Sequence, residues 1–484
     1  MSRIANAALA MLLVAFSAAT LQARDEDRYE LKYGKNFTFR GGRITVDNQF
    51  GDIDVHTRAG SEINIRAVIR ASDADLGKQI RIVTSETANG LTVRTEYPDV
   101  KSRRQISYSV DYDVTVPTNA PLTLHNRFGN IGATKISTAS TFENAQGSIE
   151  LTDSSGTQTL TNAFGSVSVN NHAGDVIVRN SNGSIDADKI DGNVDVTNRF
   201  GSVSVDHVRR NATLRNANGS VEASNVDGAL AIVNSFASVE VRSVARVTVT
   251  NNNGRVELST VRGPANVTNS YGNIEARNVQ GSFTVSGQNS RVEAETIRGD
   301  ATINTTYATI SLEDVSGNAT VTTANGNIAA SNIGGNFTAD GRFGSIKADR
   351  IRGNADVDNA NGSVTLDDVG GHVKIRTTFA PAFVTNVTGA IDIQNQNGAI
   401  SVAGLRATAC KPITLKTSFS AIKLALPPTA NYAVNAHTTF GTITTALPIT
   451  GRTVSDEAVV GVIGNGGCAL ELVNVNGGIG IERE

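Results

Sequence analysis

The stretch Asn182-Gly-Ser-Ile-Asp-Ala-Asp-Lys-Ile-Asp-Gly-Asn-Val-Asp-Val-Thr-Asn-Arg-Phe-Gly201 decides the fold. Counted from Gly183, the apolar residues are Ile185, Ala187, Ile190, Val194 and Val196. Gly192 marks the midpoint, and Asn198 precedes the next anchoring glycine by three. The same frame at Gly219 gives Val221, Ala223, Val226, Gly228, Leu230, Ile232 and Asn234. Short alternating runs predict strands with one buried face, and the Gly/Asn punctuation predicts turns.

Extended along the chain, the anchor falls at Gly129, Gly147, Gly165, Gly183, Gly201, Gly219, Ala237, Gly254, Gly272, Ser290, Ala308, Gly326, Gly344, Gly362, Ala380 and Gly398, in steps of 18 with a single step of 17. One such unit cannot bury its apolar face alone, whereas stacked copies form a continuous core. The expected fold is therefore all-β, a parallel β-solenoid (β-helix) of 18/36-residue repeats, with β-branched residues stacked in the inward slots. A toroid of four-stranded blades is the competing architecture. The likeness of the two halves of each unit favours the solenoid.

The residue before each anchor carries a second period. It reads Phe128, Gln146, Phe164, Asn182, Phe200, Asn218, Phe236, Asn253, Tyr271, Asn289, Tyr307, Asn325, Phe343, Asn361, Phe379 and Asn397. Aromatic and amide alternate throughout. Stacked strands favour like on like, so a 36-residue coil is expected, with the aromatics as a core or corner stack and the amides at another corner. An 18-residue coil is the alternative. At ~4.8 Å per coil the two predict repeat bodies of roughly 36 Å and 72 Å.

The expected organisation is a signal peptide at 1–23, a divergent β-rich N-terminal cap at 24–125, the repeat solenoid at 126–404 and C-terminal capping coils at 405–484. The leader has Arg3, an apolar run from Ala7 to Phe16 too short to span a bilayer, and small residues before a cut after Ala19 or Ala23. No transmembrane segment is expected after cleavage. The N-terminal segment has strand-like runs at Arg43 to His56, Ile63 to Ile69, Leu91 to Tyr97 and Ser107 to Val116, and a short helix around Asp73 to Lys78. An exported chain meets an oxidising compartment, so Cys410 and Cys468 are expected to form a disulfide stapling the C-terminal cap.

Among 484 residues the net charge is −3, with 43 Lys+Arg and 46 Asp+Glu. No charge excess points to nucleic acid. The units N-x-[FN]-G-[SN]-[VI]-x-[VA], together with Gly461-Val-Ile-Gly-Asn-Gly-Gly467 and Asn476-Gly-Gly-Ile-Gly-Ile481, resemble a bacterial adhesin-like β-solenoid domain family of unknown function. The resemblance implies an extracytoplasmic binding role and supplies no catalytic residues.

A β-helix can still carry an active site, and a polysaccharide lyase or hydrolase would need clustered acids with a basic partner. The best candidate is the column Glu222, Glu240, Glu257, Glu275 and Glu293, which could also bind cations. Arg242, Arg255, Arg277 and Arg291 each lie two residues from one of these glutamates, which favours a solvated ion-pair ladder. Asp367-Asp368, Asp186/Asp188 and Glu313-Asp314 are weaker candidates. The six histidines share no phase in the repeat and are expected at exposed or edge positions. The sequence thus predicts a non-enzymatic, adhesin-like monomer in the periplasm or at the cell surface. It would use no cofactor or metal, and would act as a spacer or bind an envelope, glycan or surface component. A carbohydrate-active enzyme and a periplasmic structural or stress-related scaffold are the alternatives.

Overall fold

The period-two runs fold as strands whose inward side chains are fully buried. In Ile185–Ile190 the inward residues are Ile185, Ala187 and Ile190, and in Val194–Phe200 they are Val194, Val196 and Asn198. Each coil contributes one strand to each of two facing parallel sheets, so the fold is a β-solenoid. The computed structural model describes residues 29–99, 107–407 and 409–484. The leader expected at 1–23 lies outside them.

The coil has 18 residues, not 36. Ile185 pairs with Val203, and Val194 with Ala212, each one repeat onward. The physical reason lies in the core. Two opposed sheets sit about 10 Å apart, a gap that Val, Ile, Ala and Leu from both sides fill. A four-sided coil would leave a lumen too wide for them. At ~4.8 Å per coil the repeat region is the longer of the two expected bodies, about 72 Å.

Ile185, Ala187 and Ile190 are spaced by two and then three, which strict alternation does not allow. Lys189 resolves the discrepancy. It adopts a left-handed conformation with φ 55°, so both Asp188 and Lys189 face outward and Ile190 returns to the core. The corresponding residue is left-handed in coil after coil, including Asn171, His207, Asn225, Thr260 and Thr296. Asn and Asp tolerate this region best, and β-branched residues least.

Both ends depart from sequential stacking. At the amino end, Arg43–Asp47 lies between Gly90–Glu96 and Leu122–Phe128, and Ile53–Arg58 between Tyr108–Pro117 and Ile131–Thr134. Antiparallel strands Glu62–Ala71 and Tyr29–Thr38 then cover one sheet, and Arg81–Thr87 the other. The expected short helix is Ala74–Gly77, capped by the Asp73 carboxylate accepting from the Leu76 N–H.

The carboxyl end repeats the device. Cys468–Asn474 is inserted between Ile413–Lys416 and Tyr432–Thr438, and Ile479–Arg483 between Ile422–Leu426 and Ile443–Thr445. Antiparallel strands Ala458–Ile463 and Ile449–Val454 finish the sheet that carries Tyr432–Thr438, and Ile443–Thr445 ends the other. A disulfide joins Cys410 to Cys468, tying the inserted coil to its neighbour.

Candidate functional site

One corner of the solenoid is built identically in most coils. Asn198 points inward near the end of its strand. Its Nδ2 donates to the Gly183 carbonyl of the preceding coil at 3.1 Å and to the Gly201 carbonyl at 3.2 Å. Asn162 reaches Gly147 O at 2.9 Å, and Asn269 reaches Gly254 O at 3.0 Å and Gly272 O at 3.2 Å. Each buried amide thus satisfies turn carbonyls that the ladder leaves unpaired. The glycines stack with no room for side chains. Gly183 has φ 136°, and a Cβ there would lie 2.1 Å from Gly165 O. The residue just before the glycine faces outward at a fixed position.

That outward position is the aromatic and amide column. Phe164 pairs with Asn182, Asn182 with Phe200, Phe200 with Asn218, and Asn218 with Phe236. Phe128, Phe164, Phe200, Phe236, Tyr271, Tyr307, Phe343 and Phe379 therefore share one corner with Asn182, Asn218, Asn253, Asn289, Asn325, Asn361 and Asn397. Among these residues the like-on-like arrangement expected from a 36-residue coil does not occur, although at the amino end Phe50 stacks on Phe128 with ring centres 5.1 Å apart. Nor are the rings core residues: apart from half-buried Phe128 they stand in solvent, from 41% exposed at Phe200 to 64% at Phe343. Phe419 and Phe440 in the end coils are exposed as well, at 62% and 73%.

The glutamate column lies on the opposite sheet. Glu222, Glu240, Glu257, Glu275 and Glu293 stand in register on consecutive strands. Arg242 bridges Glu222 at 2.8 Å and also contacts Glu240. Arg255 bridges Glu257 at 3.1 Å and Glu275 at 2.6 Å, and Arg291 bridges Glu293 at 2.6 Å. Arg277 lies 3.6 Å from Glu257. The carboxylates are compensated in place, which leaves little field to concentrate a free cation.

Asp188, Asp206 and His207 form a second polar cluster, beside a shallow groove of about 700 Å³ that includes Lys189 and Asn225. Lys189 Nζ lies 2.9 Å from Asp188, and His207 Nδ1 lies 2.9 Å from Asp206. Burial pushes the Asp206 carboxyl up, but hydrogen bonds from Ser224 Oγ at 2.7 Å and Asn225 Nδ2 at 2.8 Å outweigh it and hold the group below its usual range. Asp367 repeats this geometry with Thr385 and Asn386, at 2.5 Å and 2.7 Å. The recurrence marks an inter-coil tie. Asp186 is raised by burial and by Asp188 and Asp206. Asp368 bonds Arg406 at 2.5 Å, and Asp314 accepts from Asn332 at 2.5 Å. Asp367-Asp368, Asp186/Asp188 and Glu313-Asp314 sit in separate coils and do not converge.

His172 departs from the expected exposed or edge position. It occupies an inward slot in register with Ile190, is 2% exposed, and places Nε2 2.8 Å from Gly156 O. Nδ1 is buried without a partner, and burial pushes the imidazole pKa down. Sequence reasoning also missed the buried amide three residues before most of the anchors as the group that builds the corner. Its signal was present in the repeated Asn144, Asn162, Asn180 and Asn198.

Residues 305–482 match the family model described as Toastrack DUF4097, a domain of unknown function. No curated protein sequence matches the chain. Among solved structures, a putative cell adhesion protein from Clostridium sporogenes aligns over 54% of this chain and 100% of its own, at 9% identity and a TM-score of 0.18. A putative lipid binding protein from Parabacteroides distasonis aligns over 56% of this chain and 96% of its own, at 10% identity and a TM-score of 0.22.

Proposed function

We propose that the protein is an exported, non-enzymatic, adhesin-like scaffold that binds a component of the cell envelope or surface. The observation that carries this reading is the outward corner. Rings and amides occupy one fixed position in successive coils, and the rings from Phe164 to Phe379 stand in solvent. A regularly repeated surface suits an extended partner, because many weak contacts add along its length. Catalysis would need an acid, a base and a stabilising group converging on one substrate atom. The glutamate column is instead bonded to arginines, Asp368 to Arg406, and Asp188 and Asp206 are engaged by Lys189, His207, Ser224 and Asn225.

Localisation tests the reading first. Cells producing the protein are fractionated, and intact cells are treated with protease. Digestion from outside, or recovery in the medium, supports surface binding. Release with the soluble periplasm supports an envelope partner, to be found by crosslinking. Retention in the cytoplasm overturns the proposal. Turnover of acidic polysaccharides that is abolished by Glu257→Gln and Glu275→Gln would replace it with the enzyme reading.

A further inference from the structure

From Phe128 to the carboxyl end the alternation of ring and amide follows the order of the coils in space, even where that order departs from the order of the chain; at the amino end Phe50 instead stacks on Phe128. In sequence the last members of the column read Asn397, Phe419, Phe440, Asn476. In the folded stack Lys416 pairs with Val473, and Asn474 with Thr438, so Asn476 lies between the two phenylalanines. The Asn476 N–H donates to Ser418 O at 2.7 Å, and the Phe440 N–H to Val475 O at 2.8 Å. The spatial order is therefore Asn397, Phe419, Asn476, Phe440, and the alternation is unbroken at this end. It also survives the 17-residue step, where Phe236 pairs with Asn253. Duplication of a 36-residue unit would have put the alternation in chain order. A pattern that instead follows the inserted coil reflects a requirement on spacing at the surface.

That requirement sets one exposed ring every second coil, about 9.6 Å apart, with an amide midway. Flanking chemistry narrows the occupant. From Arg127–Asn130 to Val475–Gly478, no Asp or Glu occurs among the two residues before each anchor, the anchor and the residue after it. Ser, Thr and Asn dominate instead, with an arginine at intervals. Arg199 lies 5.3 Å from the Phe200 ring centre.

We propose that this corner binds an extended β-1,4-linked polysaccharide, one disaccharide per two coils. In such a chain adjacent pyranoses are rotated by about half a turn, so the same face returns once per disaccharide, close to the ring spacing. The C–H face of one sugar stacks on a ring, and the hydroxyl or amide groups of the next meet the intervening Asn and Ser side chains. The proposal rests on the binding-scaffold reading above and names its ligand class.

The test titrates the full mature chain with soluble β-1,4-linked N-acetylglucosamine oligomers of increasing length. α-1,4-linked glucose oligomers of matched length and phosphatidylcholine vesicles serve as comparisons, and sedimentation is run in parallel. Affinity is expected to rise severalfold with each added disaccharide. The double variant Phe236→Leu, Tyr271→Leu keeps apolar bulk but removes two π-faces, and is expected to bind about tenfold more weakly with an unchanged melting temperature. Asn253→Phe, which fills the gap between those rings, is expected to weaken binding as well.

Absent or length-independent binding to the β-1,4 oligomers overturns the proposal. So does equal affinity for the α-linked series, preferential binding to vesicles, or self-association abolished by the leucine pair. If the leucine pair still binds isolated envelopes as the parent does, the polysaccharide assignment fails and the scaffold reading stands. If the parent binds no envelope fraction, the scaffold reading fails.

Discussion

Replacing the buried amide Asn269 tests how the corner is held. Asn269 is fully buried, and its Nδ2 donates at 3.0 Å and 3.2 Å to Gly254 O and Gly272 O, while Oδ1 has no partner. Each hydrogen bond contributes a net ~1 kcal/mol, so losing both costs about 2 kcal/mol, and alanine adds a cavity for a total of roughly 3 kcal/mol. Threonine keeps one donor. Thr323 fills the corresponding slot two repeats after Gly287, and its Oγ1 donates to Ala308 O at 3.4 Å, so Asn269→Thr should cost about 1 kcal/mol. Asn269→Asp is the decisive variant, being nearly isosteric but facing two carbonyl oxygens with an acceptor. Its folded-state pKa would be raised by burial and by those oxygens. The penalty is therefore smallest below the unfolded value near 3.9, where both states are protonated. It grows by about 1.4 kcal/mol per pH unit as pH rises toward the folded pKa. Denaturant unfolding of each variant against the parent, at pH 3.5, 5 and 7, reads this out. A pH-independent Asn269→Asp penalty no larger than that of threonine would refute the donor role and reverse the assigned amide orientation.

The left-handed column predicts that Thr260→Gly or Thr296→Gly raises stability by about 1 kcal/mol, since a β-branched residue is the worst occupant of that region; no change in the denaturation midpoint would count against it. Ala237, at φ 88° among glycines, should behave likewise as Ala237→Gly. The depressed pKa of His172 means that the unfolded chain takes up the proton first, so stability falls as pH drops below about 6.5 toward the folded value. His172→Val should flatten that part of the melting profile. Opening the Cys410–Cys468 bridge, which spans a separation of 58 residues, removes about 4 kcal/mol in the chain-entropy model; Cys410→Ser with Cys468→Ser should lower the melting temperature and expose the end strands to hydrogen exchange.

Strand positions and the inward residues were legible because alternation has only one buried face to satisfy. The step of three between Ala187 and Ile190 was visible too, and signals a left-handed residue wherever it recurs. Coil length was not legible. Residues 18 and 36 apart present the same apolar frame, and the aromatic alternation pointed to the longer choice when taken as a stacking preference. What decides is whether the inward side chains can fill the lumen, a property of facing sheets that no single strand reveals. The exposure of Phe200 was hidden for a related reason. The tight corner turn, closed by glycine in most coils and by alanine after Phe236, Tyr307 and Phe379, sets the preceding side chain outward. His172 escaped because its slot is defined by register with Ile190.

The two ends limit how far such a stack can propagate. A parallel solenoid ends in unpaired strands that invite another copy. Here both sheets at the amino end and one sheet at the carboxyl end are closed by antiparallel strands, which cannot continue the parallel ladder in register, and the other sheet at the carboxyl end stops at the short strand Ile443–Thr445. The coil beneath each closure is threaded out of order: Cys468–Asn474 enters between two strands that precede it in sequence. Such a coil has partners on both faces only once its neighbours are in place, so it couples the terminal strands to the body of the stack. The disulfide joins the inserted coil to the interior neighbour rather than to the outermost strand. That placement secures the junction on which the outer strands depend. It also fixes the register that sets Asn476 between Phe419 and Phe440, so the same threading that stops the stack carries the ring spacing to its end.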